Sequence, residues 1–376
     1  MTGSLDGIRI IEMAGIGPGP FGAMMLADHG AEVIRINRDT VTLFEKDPLA
    51  RSRKSIVVNL KSAEGVELVR DLTKTVDGLI EGYRPGVMER LGLGPDVLLA
   101  DNPKLVYGRM TGWGQTGPYA HAAGHDLNYI SLNGVLHSCG HDGKRPRAPV
   151  NYAGDFGGGG MLLAFGMVSA LLGVKNGAPG QVVDCAMAEG SALLMEQVWE
   201  LYGMGVWHDT PGKNFLDGGA FYYDTYETGD GKFIAVGPLE MQFYALLQEK
   251  LGLTGDPDFH ARDDEACAKR ARKKLEEIFR SCTRDEWCEM LEQTDVCFAP
   301  VLSMSEAPLH PQNVARGLFL DVGGVTQVAP APKFSATPPA APRPAPAPGA
   351  DTAEILSRLG LSDEKIAGLR VAGIVA

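Results

Sequence analysis

Five short apolar runs, interleaved with stretches of helical spacing, occupy the first 110 residues and leave few folds open to the chain. Ile8-Arg9-Ile10-Ile11-Glu12-Met13 reads as a strand, followed by a helix to His29 and a second strand, Glu32-Val33-Ile34-Arg35-Ile36-Asn37. Ile56-Val57-Val58, Gly78-Leu79-Ile80-Glu81 and Leu105-Val106-Tyr107-Gly108-Arg109-Met110 continue the series, with a helix near Ala63–Thr73. Strands joined through helices pair in parallel and are covered on both faces. The expected fold class is therefore α/β, a Rossmann-like large domain around a parallel sheet. Ligands of such sheets gather beyond the C-terminal ends of the strands.

The residues at those ends set the kind of ligand. Gly17, Gly19 and Gly22 satisfy the spacing GxGxxG after the first strand. Pro18 and Pro20 remove two amides that would cradle a pyrophosphate, and the second strand ends at Asn37-Arg38 without an acid to hold a ribose diol. Nicotinamide binding is therefore disfavoured. Arg35 and Arg38, then Arg51, Arg53 and Lys54, then Asn59-Leu60-Lys61 and Gly82-Tyr83-Arg84, make a recurring basic theme. Arg38, Lys61, Arg84 and Met110 all fall at strand ends, and the cations among them indicate a phosphate-bearing, nucleotide-like ligand.

The chemistry concentrates between Gly124 and Gly160. Gly124-His125-Asp126-Leu127-Asn128-Tyr129 opens a helical face at Leu127, Ile130, Leu132 and Val135. Asn151-Tyr152-Ala153-Gly154-Asp155-Phe156, followed by glycine at 157–160, precedes an apolar helix starting at Met161. An imidazole and a carboxylate thus stand at two helix starts, where free N–H groups can bind developing negative charge. Each alone would read as a loop histidine or an N-cap. Together with four consecutive glycines, which favour close backbone approach, they match what proton abstraction beside a carbonyl needs.

The remainder divides the chain. Gln181–Asp184 reads as a strand and Ala186–Tyr202 as one helix. A hairpin turning at Gly229-Asp230-Gly231, a helix over Met241–Leu251, and amphipathic helices over Asp263–Ser281 and Thr283–Gln293 form a smaller α+β domain. The expected boundaries are 1–203 for the large domain, 204–308 for the small one, and 309–376 returning to the first. Phe319–Gly349 is a Pro- and Ala-rich strap, and Ala353–Leu359 and Asp363–Leu369 are short helices packed back on the large domain. A formal charge of -12 argues against nucleic-acid or anionic-membrane binding. No apolar run reaches a membrane span, no charged leader precedes an apolar block, and the C-terminus carries no peroxisomal address. Six cysteines without a CxxC pair indicate neither zinc nor a disulfide framework. The expectation is a cytoplasmic protein without a metal.

With these residues in view, the chain resembles CoA-transferase family III and, within it, the alpha-methylacyl-CoA racemases. The resemblance runs through Gly15-Ile16-Gly17-Pro18-Gly19-Pro20, Glu81-Gly82-Tyr83-Arg84-Pro85-Gly86-Val87, Arg109–Gln115, Gly124–Tyr129, Gly154–Gly159 and Asp217-Gly218-Gly219. Gly124-His125-Asp126 is its specific part. It implies an isomerase that interconverts the two epimers of branched-chain 2-methylacyl-CoA, with no separate cofactor because CoA belongs to the substrate. It also implies an interlocked homodimer with shared sites, His125 and Asp155 flanking the α-carbon, Glu240 orienting His125 and Asn151 bonding Asp155. The Asp126 amide is the expected oxyanion donor. The CoA is expected to lie along Arg38, Asn59, Leu60, Lys61, Gly82, Tyr83, Arg84, Arg90, Met110, Gly124 and Tyr129. The rival is a CoA-transferase of the same fold, which would use Asp155 as a nucleophile and have no need of His125.

Overall fold

A computed structural model of the chain describes residues 3–41, 46–140, 144–262 and 264–376. These residues form two compact units, one of residues 3–135, 149–196 and 317–376, the other of 136–148 and 197–316. The second unit thus begins earlier and ends later than 204–308, and takes in part of the segment before Pro149.

The first unit is built on a six-stranded, all-parallel sheet in the order β3-β2-β1-β4-β5-β6. The strands are β1 Arg9–Met13, β2 Glu32–Asn37, β3 Lys54–Val57, β4 Gly78–Glu81, β5 Val106–Thr111 and β6 Gln181–Ala186. Their apolar runs are continuous because successive side chains enter different cores. Ile11, Ile34, Leu79 and Tyr107 face one core, together with the helix Ala63–Thr73 and the C-terminal helices Thr352–Arg358 and Asp363–Val371. Ile10, Val33, Ile80 and Val106 face the other, with the helices Pro18–Asp28 and Leu162–Lys175. The strap between 329 and 349 has no regular structure beyond the short pair Phe319–Asp321 with Thr326–Val328 that precedes it.

Three helical expectations change. Residues 126–138 form single turns, Asp126–Tyr129 and Val135–Ser138, rather than one helix, and Leu127 and Leu132 are exposed. The stretch read as Ala186–Tyr202 breaks into Met187–Leu193 and Glu196–Gly203. Asp155 does not precede its helix but lies within it: Tyr152–Met161 is π-helical and runs on into Leu162–Lys175. That joined helix of 24 residues is long and apolar enough to cross a membrane, contrary to expectation. Leu163, Ala164, Met167, Ala170 and Leu171 instead bury one side of it in the unit's core.

The glycine run explains itself in the packing. A Cβ at Gly160 would stand 2.7 Å from the Pro18 carbonyl oxygen, and one at Gly158 would stand 2.3 Å from the Ser191 nitrogen. The π-helical backbone therefore touches two neighbouring helices directly, and the close approach predicted for the glycines is to protein. Gly22, the last of the early glycine pattern, meets Gly160 from the other side.

The second unit carries an antiparallel sheet of β7 Asp224–Glu227, β8 Phe233–Val236 and β9 Phe298–Val301, of which β9 was not anticipated. Met241–Lys250, Glu265–Phe279 and Arg284–Leu291 pack on it around Phe221, Tyr244, Phe259, Leu275, Phe279 and Trp287. Asp263, the expected start of the second of these helices, lies outside the described residues.

Candidate active site

Asp155 stands one turn into the long helix, half-buried. Asn151 Nδ2 donates to its Oδ2 at 3.0 Å, and a Cβ placed on Gly17 would lie 3.8 Å from the same oxygen. The carboxylate therefore faces the glycine loop after β1, where Gly17 adopts a φ of 72° that other residues rarely take. Burial pushes Asp155 above the ordinary carboxylate range. The Asn151 hydrogen bond draws it back, the Asp126 charge raises it further, and His125 lowers it.

His125 is exposed and precedes the turn Asp126–Tyr129. Its own amide donates to Asn128 Oδ1 at 3.1 Å, and the Asn128 amide returns a bond to its carbonyl at 2.8 Å. These bonds anchor the backbone that carries the exposed imidazole. Asp126 is buried, and its Oδ1 accepts from the amides of both Gly154 and Asp155, each at 2.7 Å. One residue thus ties the histidine segment to the aspartate helix. Among the described residues, the Asp126 amide has no hydrogen-bond partner.

Behind these groups stands an aromatic wall. Trp113 packs on Tyr119 and, edge-on, on Tyr129 at 4.8 Å between centroids, and the Tyr129 hydroxyl donates to the Gly124 carbonyl. Gly124 is needed there, since a Cβ would stand 2.7 Å from the Tyr129 ring.

The basic residues divide into two sets that look alike in sequence. Arg53 and Arg35 both bond Glu12, which is fully buried in β1; Arg53 also bonds the Pro20 carbonyl in the first helix, and Arg35 the Gly15 carbonyl in the loop before it. Arg51 forms a bidentate pair with buried Asp28. These three arginines hold the sheet edge and the glycine loop. Arg38, Lys61, Arg84 and Arg90 are instead exposed beyond β2, β3 and β4. Among the described residues, Arg38 pairs only with neighbouring Asp39, and Lys61, Arg84 and Arg90 form no ion pair. Asn59 and Leu60 are half-buried, with the Asn59 amide bonded to the Ile374 carbonyl at 2.8 Å. Gly82 is exposed beside Tyr83, whose hydroxyl donates to the Ala14 carbonyl at 3.3 Å. The Met110 side chain is 2% exposed in the core, so only its backbone borders the strand end.

Glu240 belongs to the second unit, exposed at the N-cap of the helix Met241–Lys250. Among the described residues, no cluster of three or more His, Cys, Asp or Glu side chains could hold a metal. Two features were missed in sequence, the Glu12 network and the Asp126 carboxylate. A charged residue inside an apolar strand was the available signal for the first.

A parallel six-stranded sheet covered by helices on both faces, with exposed cations beyond its strand ends, defines an α/β protein. The chain belongs to CoA-transferase family III, which it matches over residues 5–352. It is 44% identical over 374 residues to the Mus musculus protein named alpha-methylacyl-CoA racemase, covering 99% of this chain and 97% of that one. Identity to the Homo sapiens protein of the same name is 41% over 368 residues, covering 96% and 95% of the two chains. The crystal structure of a CaiB/BaiF family protein from Brucella suis superposes with a TM-score of 0.81 at 26% identity, covering 96% of this chain and all of that one.

Proposed function

We propose that the chain is an alpha-methylacyl-CoA racemase, an isomerase that moves the α-proton of a branched 2-methylacyl-CoA from one face of the thioester to the other. The observation that carries it is the tie between His125 and Asp155 through Asp126, which presents two different bases from adjoining backbone segments. Inversion needs one group to remove the proton and another to return it from the opposite face. The upward push on Asp155 brings its proton affinity closer to neutrality, where a carboxyl group both takes and gives a proton.

A thioester α-proton is far less acidic than either side chain, so the intermediate is an enolate that requires preorganised donors. The unpartnered Asp126 amide is suited to that oxygen. Arg38, whose pair with Asp39 is exposed, and Lys61, Arg84 and Arg90, which form no ion pair among the described residues, suit the phosphates of the CoA portion, unlike Arg35, Arg51 and Arg53 with their buried carboxylates. Asn59, Leu60, Gly82, Tyr83, Gly124 and Tyr129, with the Met110 backbone, line the path between. No further cofactor is required, because CoA arrives with the substrate.

The assembly in this reading is a homodimer in which Glu240 of one chain orients His125 of the other. Its support is the outer face of the long helix, where Met161, Phe165, Val168 and Leu172 recur at helical spacing and are exposed. A stripe of this kind on an otherwise packed helix marks an interface.

The test is incubation of each pure 2-methylacyl-CoA epimer with the enzyme and no carboxylic acid acceptor. Conversion of both epimers to the same mixture is expected. A protein that turns over acyl-CoA only when an acceptor acid is added would be a transferase.

A further inference from the structure

We propose that the Asp126 carboxylate is the positioning residue of the proton-transfer pair, capping the long helix so as to fix Asp155 against its chain neighbour His125. The inference rests on the racemase reading and adds to it, since that reading takes the carboxylate only as a tie between two segments and gives it no effect on the Asp155 proton.

Three observations carry it. First, Asp126 Oδ1 takes both the Gly154 and Asp155 amides at 2.7 Å, at the open end of a helix that continues to Lys175. First-turn amides have no intrahelical partner, and a carboxylate there gains charge-assisted bonds and favourable alignment with the helix dipole. Second, the contact dictates the residue opposite: a Cβ on Gly154 would stand 2.5 Å from Oδ1 and 3.0 Å from Cγ. Gly154 is thus fitted to the carboxylate in the way Gly158 and Gly160 are fitted to neighbouring helices. Third, Asp126 is only 5% exposed, and its Oδ2 has no partner among the described residues. A buried carboxylate with one idle oxygen is an expensive way to cap a helix, and a neutral cap would serve stability alone.

The idle charge has a use. It acts on Asp155 and strengthens that group's hold on its proton, opposing the Asn151 hydrogen bond and the His125 ring. The other charged groups on packed elements are engaged elsewhere. Asp28 on the first helix pairs with Arg51, and Arg109 on β5 pairs with Glu81 and Glu89. Asp184 on β6 accepts from the Gln115 amide, Glu189 beyond it acts on Cys185, and the Tyr129 hydroxyl is coupled to Asp155 but donates to Gly124.

Asp126→Asn keeps the shape and an acceptor oxygen but removes the charge; Asp126→Ala removes both; Gly154→Ala displaces the intact carboxylate. All three retain the amide at 126. Each is compared with the wild type by epimerisation kinetics and by a carbon-13 titration of the Asp155 carboxyl in the full chain, assigned with Asp155→Asn. Asp126→Ala and Gly154→Ala should each lose about 100-fold in kcat with KM little changed, the scale expected for a misplacement of roughly 1 Å. Asp126→Asn should retain more activity and titrate Asp155 at lower pH than the wild type. If the Asp155 titration and kcat are unmoved in Asp126→Asn, or all variants lose only thermal stability, the inference is wrong while the racemase reading stands. Should the wild type not epimerise yet Asp155 titrate lower in Asp126→Asn, the racemase reading fails and the positioning contact survives.

Discussion

Asn151 Nδ2 and Asp155 Oδ2 are 3.0 Å apart across one turn of the π-helical segment, so the residue that opens the long helix also holds its carboxylate. That bond favours the ionised form of Asp155 against the burial that disfavours it. Replacing Asn151 with Ala removes a downward influence, so the titration of Asp155 must move to higher pH. The rising limb of the pH–rate profile should shift the same way, with kcat at neutral pH falling several-fold, the loss expected from roughly 1 kcal/mol. A limb that moves to lower pH would contradict the assignment.

The two sets of arginines should respond differently to the same substitution. Arg84→Ala removes an exposed cation that forms no ion pair among the described residues, and KM for acyl-CoA should rise about 10- to 150-fold, as expected for a charge-assisted phosphate contact of about 1.5–3 kcal/mol. Arg53→Ala leaves buried Glu12 with Arg35 alone and strips the Pro20 carbonyl of its donor; breaking a buried pair costs about 3–5 kcal/mol, so the protein should lose thermal stability or fail to fold. Thermal melts and kinetics on both variants check this. An unchanged KM in Arg84→Ala would remove it from the CoA site.

The parallel sheet was legible because β1 to β5 are buried on both faces and therefore read as continuous apolar runs, as in Ile10-Ile11 and Leu79-Ile80. The start of the long helix was not, because Tyr152–Met161 carries five glycines and no helical spacing; only close contacts such as those with Asp126, Pro18 and Ser191 account for them. The Asp126 contact spans 28 residues to Gly154, beyond any local pattern. Arg53 and Arg38 could not be told apart, since the difference lies in Glu12, fully buried in a neighbouring part of the sheet.

Assembly can be tested in two ways. Phe165→Glu or Leu172→Glu places a charge on the exposed apolar stripe and should shift sedimentation from dimer toward monomer while abolishing turnover. Refolding a mixture of His125→Ala and Glu240→Ala chains should restore activity that neither has alone, because one shared site would then be intact. Heterodimers that form but stay inactive would show that Glu240 does not act across chains.

The two-base account meets its most direct test in deuterated water, by following α-proton exchange on each pure epimer with His125→Ala and Asp155→Ala. Each variant should exchange one epimer only, the two variants choosing opposite epimers, and neither should interconvert them; on the family resemblance, His125 serves the 2S side. Full epimerisation by the His125→Ala protein would contradict the account.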